Sequence, residues 1–379
     1  MDFGIYVHIP FCISKCYYCD FASSVQDTSK YEPYVDALIK EIRAHRENTP
    51  SPLAIKTIFI GGGTPSVLPP ILLEKILMAL RESFTIADDA EVTMESNPGT
   101  LSIEKLKTIK KHGVNRISMG AQAYQNNLLK KIGRTHTQEE IIESYNLCRH
   151  VGFDNINLDL MFALPTQTLD QWQETLEAIV KLGPEHISAY SLIVEEGTPF
   201  GDMANQEKLE QPSEDLERRM YTLAKDYLNK NGYKQYEISN FAKKGKASKH
   251  NVNNWKVYPY IGIGLGAHSY YEGYRYHNTY DMEVYIQNSS QLKNIQEEKE
   301  AINLKAQMEE YMFLGLRLTK GIQIDDFEKR FKQSIFEVYG DPINQHKTDG
   351  LLIESAGYIW LTDYGQDISN RVLSSFLLD

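Results

Sequence analysis

The sequence predicts an α/β protein: a partial, TIM-like (β/α)6 barrel followed by a C-terminal helical, winged-helix-like domain. Three observations carry this expectation. Six short runs rich in apolar and β-branched residues occupy 4–9, 55–60, 90–96, 116–121, 156–162 and 186–193. Helix-like stretches separate them, and strands alternating with helices imply βαβ units and a parallel sheet. Beyond about residue 200 the alternation stops, and 301–379 runs helix, turn, helix, helix, hairpin, helix, an order that resembles a winged helix. The expected division is therefore 1–215 for the barrel, 216–300 for a linking and substrate-covering region, and 301–379 for the C-terminal domain.

Taken in order, GIYVHI opens the chain and leads into the loop FCISKCYYCDF. TSKYEPYVDALIKEIRAHRE (28–47) follows, with Tyr34, Ala37, Leu38 and Ile42 on one helical stripe. IKTIFI ends in GGGTP at 61–65, AEVTMES in NPG, and RISMGA in Gln122. After INLDLMF, the helix LDQWQETLEAIVKLG stops at Gly183, and HISAYSLI is the sixth strand. Because turn residues follow each run, the C-terminal strand ends share one face, where parallel α/β barrels place their chemistry. The Tyr/Asn/Gly-rich stretch 233–281 fits no simple pattern, and GLLIESAGYIWLT reads as a hairpin turning at Ser355–Gly357.

The 379 residues, 42% hydrophobic and 24% charged, suit a soluble chain with more than one core. No apolar run approaches the ~18 residues of a membrane span. The N-terminus lacks the features of an export signal, so a cytoplasmic protein is expected. A net charge of -11 disfavours nucleic acid as a partner, and 8 basic against 12 acidic residues in 301–379 argue the same for the winged-helix-like domain. Oligomeric state is not legible.

Three of the four cysteines, Cys12, Cys16 and Cys19, have the spacing C-x3-C-x2-C on the loop after the first strand. In a reducing compartment such a cluster points to metal binding or catalysis rather than disulfides. Convergent thiolates suit a multi-iron cluster. Three sulfurs satisfy three irons of a [4Fe–4S] cube and leave the fourth open to a small chelating molecule. The alternatives are a zinc site completed by His8 or Asp20, or three unligated thiols. Zinc prefers four protein ligands and paired C-x2-C knuckles, of which only one is present, so the cluster is favoured. Cys148 reads as a buried apolar residue.

Other residues gather at predicted strand ends. Gly61, Gly62 and Gly63 let backbone come close to a ligand, with Thr64 beside them. Glu95 can accept from an amine or hydroxyl. Gln122 closes the fourth strand, and the planar fork of Arg134 suits a carboxylate. Asp159, within an apolar strand, needs a partner such as a ribose hydroxyl. GIGLGAH (262–268) lacks the βαβ context of a dinucleotide fingerprint.

YVHIPFCISKCYYCDF resembles the signature of the radical S-adenosylmethionine (SAM) enzymes, and specifically of the oxygen-independent coproporphyrinogen III oxidase family and its relatives. The resemblance implies Cys12, Cys16 and Cys19 as ligands of a [4Fe–4S] cluster. It also implies SAM on the open iron, with reductive cleavage giving a 5′-deoxyadenosyl radical. Tyr6, Glu95, Gln122, Arg134 and Asp159 match SAM-contacting positions of that family, and the resemblance makes Gly61, Gly62, Gly63 and Thr64 SAM contacts too.

Two departures separate the chain from the oxidase itself. The oxidase has a fourth cysteine where this chain has Phe21, and a long extension before the signature, which here begins at Tyr6. Both resemble the haem chaperone branch, whose H-N-x-x-Y-W motif is matched by HNVNNW (250–255), with Asn254 in place of the tyrosine. This implies haem bound with His250 as iron ligand and Trp255 as a wall, with His268 a second histidine to weigh. It further implies transfer of haem to an acceptor protein, membrane-associated proteins included. The alternative is oxidative decarboxylation of coproporphyrinogen. No catalytic residue is assigned.

Overall fold

The computed structural model describes residues 3–48 and 54–378. Six parallel strands form where the runs predict them: β1 Phe3–Ile9, β2 Ala54–Gly62, β3 Thr85–Ser96, β4 Arg116–Gln122, β5 Ile156–Phe162 and β6 His186–Ser191, paired in sequence order. Their apolar alternate residues, such as Ile5, Val7 and Ile9 of β1, are completely buried against the surrounding helices. The opposite face carries Tyr6, His8, Glu95, Ser118, Asp159 and Tyr190, so the inside of the barrel is polar. Alternation with period two puts both sets on one strand without conflict.

The helices α1 Tyr31–Asn48, α2 Pro70–Ser83, α3 Ile103–Lys111, α4 Gln138–Val151 and α5 Leu169–Leu182 lie between these strands in the chain. Local chemistry sets their ends. Thr137 and Thr168 each form a capping box, with Glu140 and Gln171 respectively, and Gly152 and Gly183 end the same helices in the left-handed conformation.

The stretch that defied patterning extends the sheet at both edges. Beyond β6, the short β7 Lys234–Glu237 and β8 Asn240–Ala242 add antiparallel strands. Beyond β1, β9 Tyr260–Ile263 pairs parallel to it, and β10 His268–Tyr271, β11 Tyr274–Asn278 and β12 Gln296–Ala301 continue antiparallel. The result is a 12-stranded sheet, β12-β11-β10-β9-β1-β2-β3-β4-β5-β6-β8-β7. Residues 216–300 thus share one core with the barrel, from Phe3 to Ile295. In the chain, α6 Glu214–Lys230 precedes β7, and the short α7 Lys249–Trp255 links β8 to β9.

A second core, from Met308 to Phe376, belongs to the C-terminal domain. It packs helix α8 Leu304–Gly315 and later helices against a three-stranded antiparallel sheet containing the hairpin Leu352–Ser355 and Tyr358–Leu361. Bonds to main-chain carbonyls fasten it to the barrel edge: Thr319 N donates to Tyr236 O at 3.0 Å, and the Arg330 guanidinium donates to Lys256 O and Val257 O at 3.1 and 2.9 Å.

Candidate cofactor site

The cysteine loop is anchored at both ends by the strand ends around it. Gly63 N and Thr64 N donate to Ile9 O and Phe11 O, both at 2.8 Å, so the GGGTP turn is laced to the start of the loop. At the far end Ser24 N donates to Pro10 O at 2.9 Å, and Lys15 Nζ holds Phe21 O and Ser23 O at 3.1 and 2.9 Å. Cys12, Cys16 and Cys19 are free and partly exposed, and all three line one cavity of about 300 Å³. Cys148 is buried in α4, and burial pushes its thiol up to about 12.

That cavity collects most of the residues expected at strand ends: Gly62, Gly63, Thr64, Glu95, Gln122, Arg134 and Asp159 all line it. The glycines have steric reasons beyond ligand approach. A Cβ on Gly62, whose φ is +110°, would stand 2.5 Å from the His8 ring, and one on Gly63 would meet Phe11 O at 2.6 Å. Gly61 is not among the lining residues; its Cβ position is taken up by the Glu95 carboxylate and the Phe59 ring.

Polar contacts hold the wall in place. Arg134 donates to Asn97 Oδ1 at 2.6 Å, to Gly120 O at 2.7 Å and to Cys16 Sγ at 3.6 Å. Asn97 in turn donates to Thr64 Oγ1, which points to Cys12 Sγ at 3.7 Å. Ser118 and Asn157 donate to the two oxygens of Asp159, at 3.1 and 2.8 Å. Tyr190 donates to Gln122 Oε1 at 3.0 Å, and Gln122 adopts a φ of +65°, a strained backbone for a residue with a side chain. Glu95 accepts from Gly62 N at 3.1 Å, yet its pKa is pushed up to about 8, by burial first and then by the charge of Asp159.

A second, larger cavity of about 780 Å³ adjoins the first, sharing Lys15, Phe21, Ser23, Gly62 and Glu95 with it. Tyr6, expected beside SAM, lines this second cavity instead, with His8, His250, Asn254, Tyr260, His268 and Tyr280. His8 bonds Ala22 O through Nε2 at 2.8 Å and Tyr6 through Nδ1 at 2.9 Å. A carbonyl can only accept, so Nε2 carries the proton and Nδ1 accepts from the Tyr6 hydroxyl. His8 is thereby spoken for. His250 bonds Thr57 Oγ1 through Nδ1 at 2.9 Å, and burial, then the charge of Arg116, lower its pKa to about 4.

Trp255 does not join His250. Its ring lies under the Arg317 guanidinium, 4.5 Å from its centre, and does not line the cavity. Five residues on from His250, it points about 140° away around the helix, whereas Asn254, four residues on, points nearly the same way and does line the cavity. Sequence reasoning missed Tyr190, Ser118 and Asn97. The first two follow strand alternation in HISAYS and RISMGAQ, a signal present in the sequence; Asn97 is tied to Arg134 only through the fold.

The thiols fit a cluster better than a lone ion. Among the described residues no three His, Cys, Asp or Glu side chains converge on a single-metal site, and His8 is committed to Ala22. A cubane takes thiolates at separate corners, and three partly exposed sulfurs around one cavity, with no acidic side chain hydrogen-bonded to them, suit it.

A model of the radical SAM superfamily matches residues 6–179, and one of the HemN C-terminal domain matches 302–368. The heme chaperone HemW of Lactococcus lactis subsp. lactis (strain IL1403) is 41% identical over 374 residues, spanning 99% of this chain and 97% of that protein. The heme chaperone HemW of Bacillus subtilis (strain 168) is 38% identical, spanning 98% of each. Among solved structures, coproporphyrinogen III oxidase (HemN) from Escherichia coli superposes with a TM-score of 0.86 over 99% of this chain and 90% of that one, at 23% identity, a likeness of fold. Matched nearly end to end at this level, the chain belongs to the radical SAM superfamily, whose cofactors are a [4Fe–4S] cluster and SAM, and within it to the HemW family.

Proposed function

We infer that this protein is a haem chaperone: it binds haem beside a cluster-and-SAM site and passes the haem to an acceptor protein. The observation that carries this reading is the second cavity, histidine-lined and continuous with the first, in a chain whose full-length relatives are named heme chaperones. In the first cavity Cys12, Cys16 and Cys19 hold the cluster. Gly62, Gly63 and Thr64 offer backbone and hydroxyl groups to SAM, Glu95 its amine partner, and Asp159 an acceptor for ribose hydroxyls. Arg134, already bonded to three groups, presents its remaining charge to the SAM carboxylate, and Gln122 closes the wall. When bound, the cluster and SAM supply one-electron reduction and a source of the deoxyadenosyl group.

In the second cavity His250 is the iron ligand. Its low pKa keeps the imidazole neutral at pH 7, the form that binds metal, and Nδ1 donating to Thr57 would leave Nε2 with its lone pair for iron. The acceptor is a protein, and a membrane-associated one is the finer expectation. Among the described residues, no helix is long and apolar enough to cross a membrane.

Anaerobic reconstitution with iron and sulfide, followed by haem titration with and without SAM, tests the reading. A saturable Soret shift that His250→Ala weakens is the expected result. Accumulation of protoporphyrinogen from coproporphyrinogen, SAM and a reductant would overturn it in favour of the oxidase. An unchanged Soret band and affinity in His250→Ala would reject that ligand.

A further inference from the structure

Phe21 stands where the two cavities meet. Of the five residues lining both, Lys15, Ser23, Gly62 and Glu95 are charged, polar or lack a side chain; Phe21 alone brings a large apolar ring. That ring is 60% exposed, in contrast to Phe11 ten residues earlier, which is fully buried. The backbone beneath it is fixed all the same. Lys15 Nζ and Ser23 N both donate to Phe21 O, at 3.1 and 2.6 Å, and Lys15 also holds Ser23 O. A free ring on a fixed stem has only two torsions to lose when it docks, and much apolar area to gain.

The chemistry of the two sides says which ligand it meets. The smaller cavity surrounds its occupant with Glu95, Arg134, Asp159 and glycine backbone, groups that suit a charged nucleoside. The larger one has aromatic walls, Tyr6, Tyr260 and Tyr280, that suit a flat conjugated molecule. We propose that Phe21 is the covering ring of the larger cavity, packing on the face of the tetrapyrrole bound there and closing it off from the SAM cavity. The proposal rests on the haem reading above and adds to it the residue that sets selectivity for a planar macrocycle.

The test compares Phe21→Ala, Phe21→Trp and His250→Ala in the full, reconstituted chain, with two probes: haem and iron-free protoporphyrin. Covering a ring face does not need iron. Phe21→Ala is therefore expected to weaken both probes about 10- to 50-fold, and Phe21→Trp to restore both to within about threefold of the native chain. His250→Ala is expected to weaken haem far more than the iron-free ring. Phe21→Ala that binds both probes within about twofold of the native chain would overturn the proposal, as would a loss confined to haem. A native chain that binds neither probe would instead bring down the haem reading, and this proposal with it, so the two failures are told apart by which protein fails.

Discussion

Buried beside Asp159, Glu95 keeps its proton to about pH 8, well above the ordinary value of 4.5. Since the folded-state pKa is the higher one, its contribution to stability is full below about 4.5 and is lost as pH rises through about 8. Glu95→Gln should remove that part of the loss, measured by denaturant unfolding across this range. With the SAM amine placed at Glu95 as proposed, its N–H bonds favour the ionised carboxylate, so binding SAM should release a proton and tighten as pH rises toward 8. Calorimetry in two buffers of different ionisation enthalpy reads that proton directly. Gly62 makes a second test at this scale. With φ at +110° and the His8 ring 2.5 Å from any Cβ, Gly62→Ala should destabilise the fold by at least about 2 kcal/mol and abolish SAM binding.

The cysteine loop behaves as one element because its two ends are tied to different strand ends. Gly63 and Thr64 bond its start and Pro10 its end, while Tyr17 N and O bond Ile132 O and Phe200 N at 3.2 and 2.9 Å. Replacing any one of Cys12, Cys16 and Cys19 by Ala should therefore abolish the cluster while leaving the loop and the unfolding midpoint nearly unchanged. Cys148→Ala should keep full iron and sulfide content and lose about 1 kcal/mol of stability, because it removes only a buried apolar group. The short helix α7 shows the limit of motif reading. HNVNNW predicts His250 and Trp255 at one ligand, but the helical turn sends them to opposite duties, one to the cavity and one to the C-terminal domain.

At the scale of the whole molecule, the C-terminal domain closes the flank of the open barrel rather than standing apart. Glu237 pairs with Leu318 in a single antiparallel bridge, Arg275 grips both oxygens of Glu310 at 2.8 and 2.7 Å, and Arg317 stacks on Trp255. Trp255→Ala should consequently lower stability by about 2 kcal/mol, read as a reduced denaturation midpoint. Haem affinity should change far less than in His250→Ala. The opposite ranking would return Trp255 to the haem wall.

Six strands, the helix stop at Gly183 and the cysteine loop were legible in the sequence, since alternation and turn residues act over a few neighbours and leave a local imprint. The resemblance gathered Glu95, Gln122, Arg134 and Asp159, which share one cavity, together with Tyr6, which lines the other. The second cavity was not legible. It joins Tyr6 and Phe21 to His250, Tyr260, His268 and Tyr280, more than two hundred residues away, through β9 pairing beside β1. That pairing is chosen by burial of Ile261 and Ile263 in the common core, an energy summed over the whole molecule, and no neighbouring residue records it.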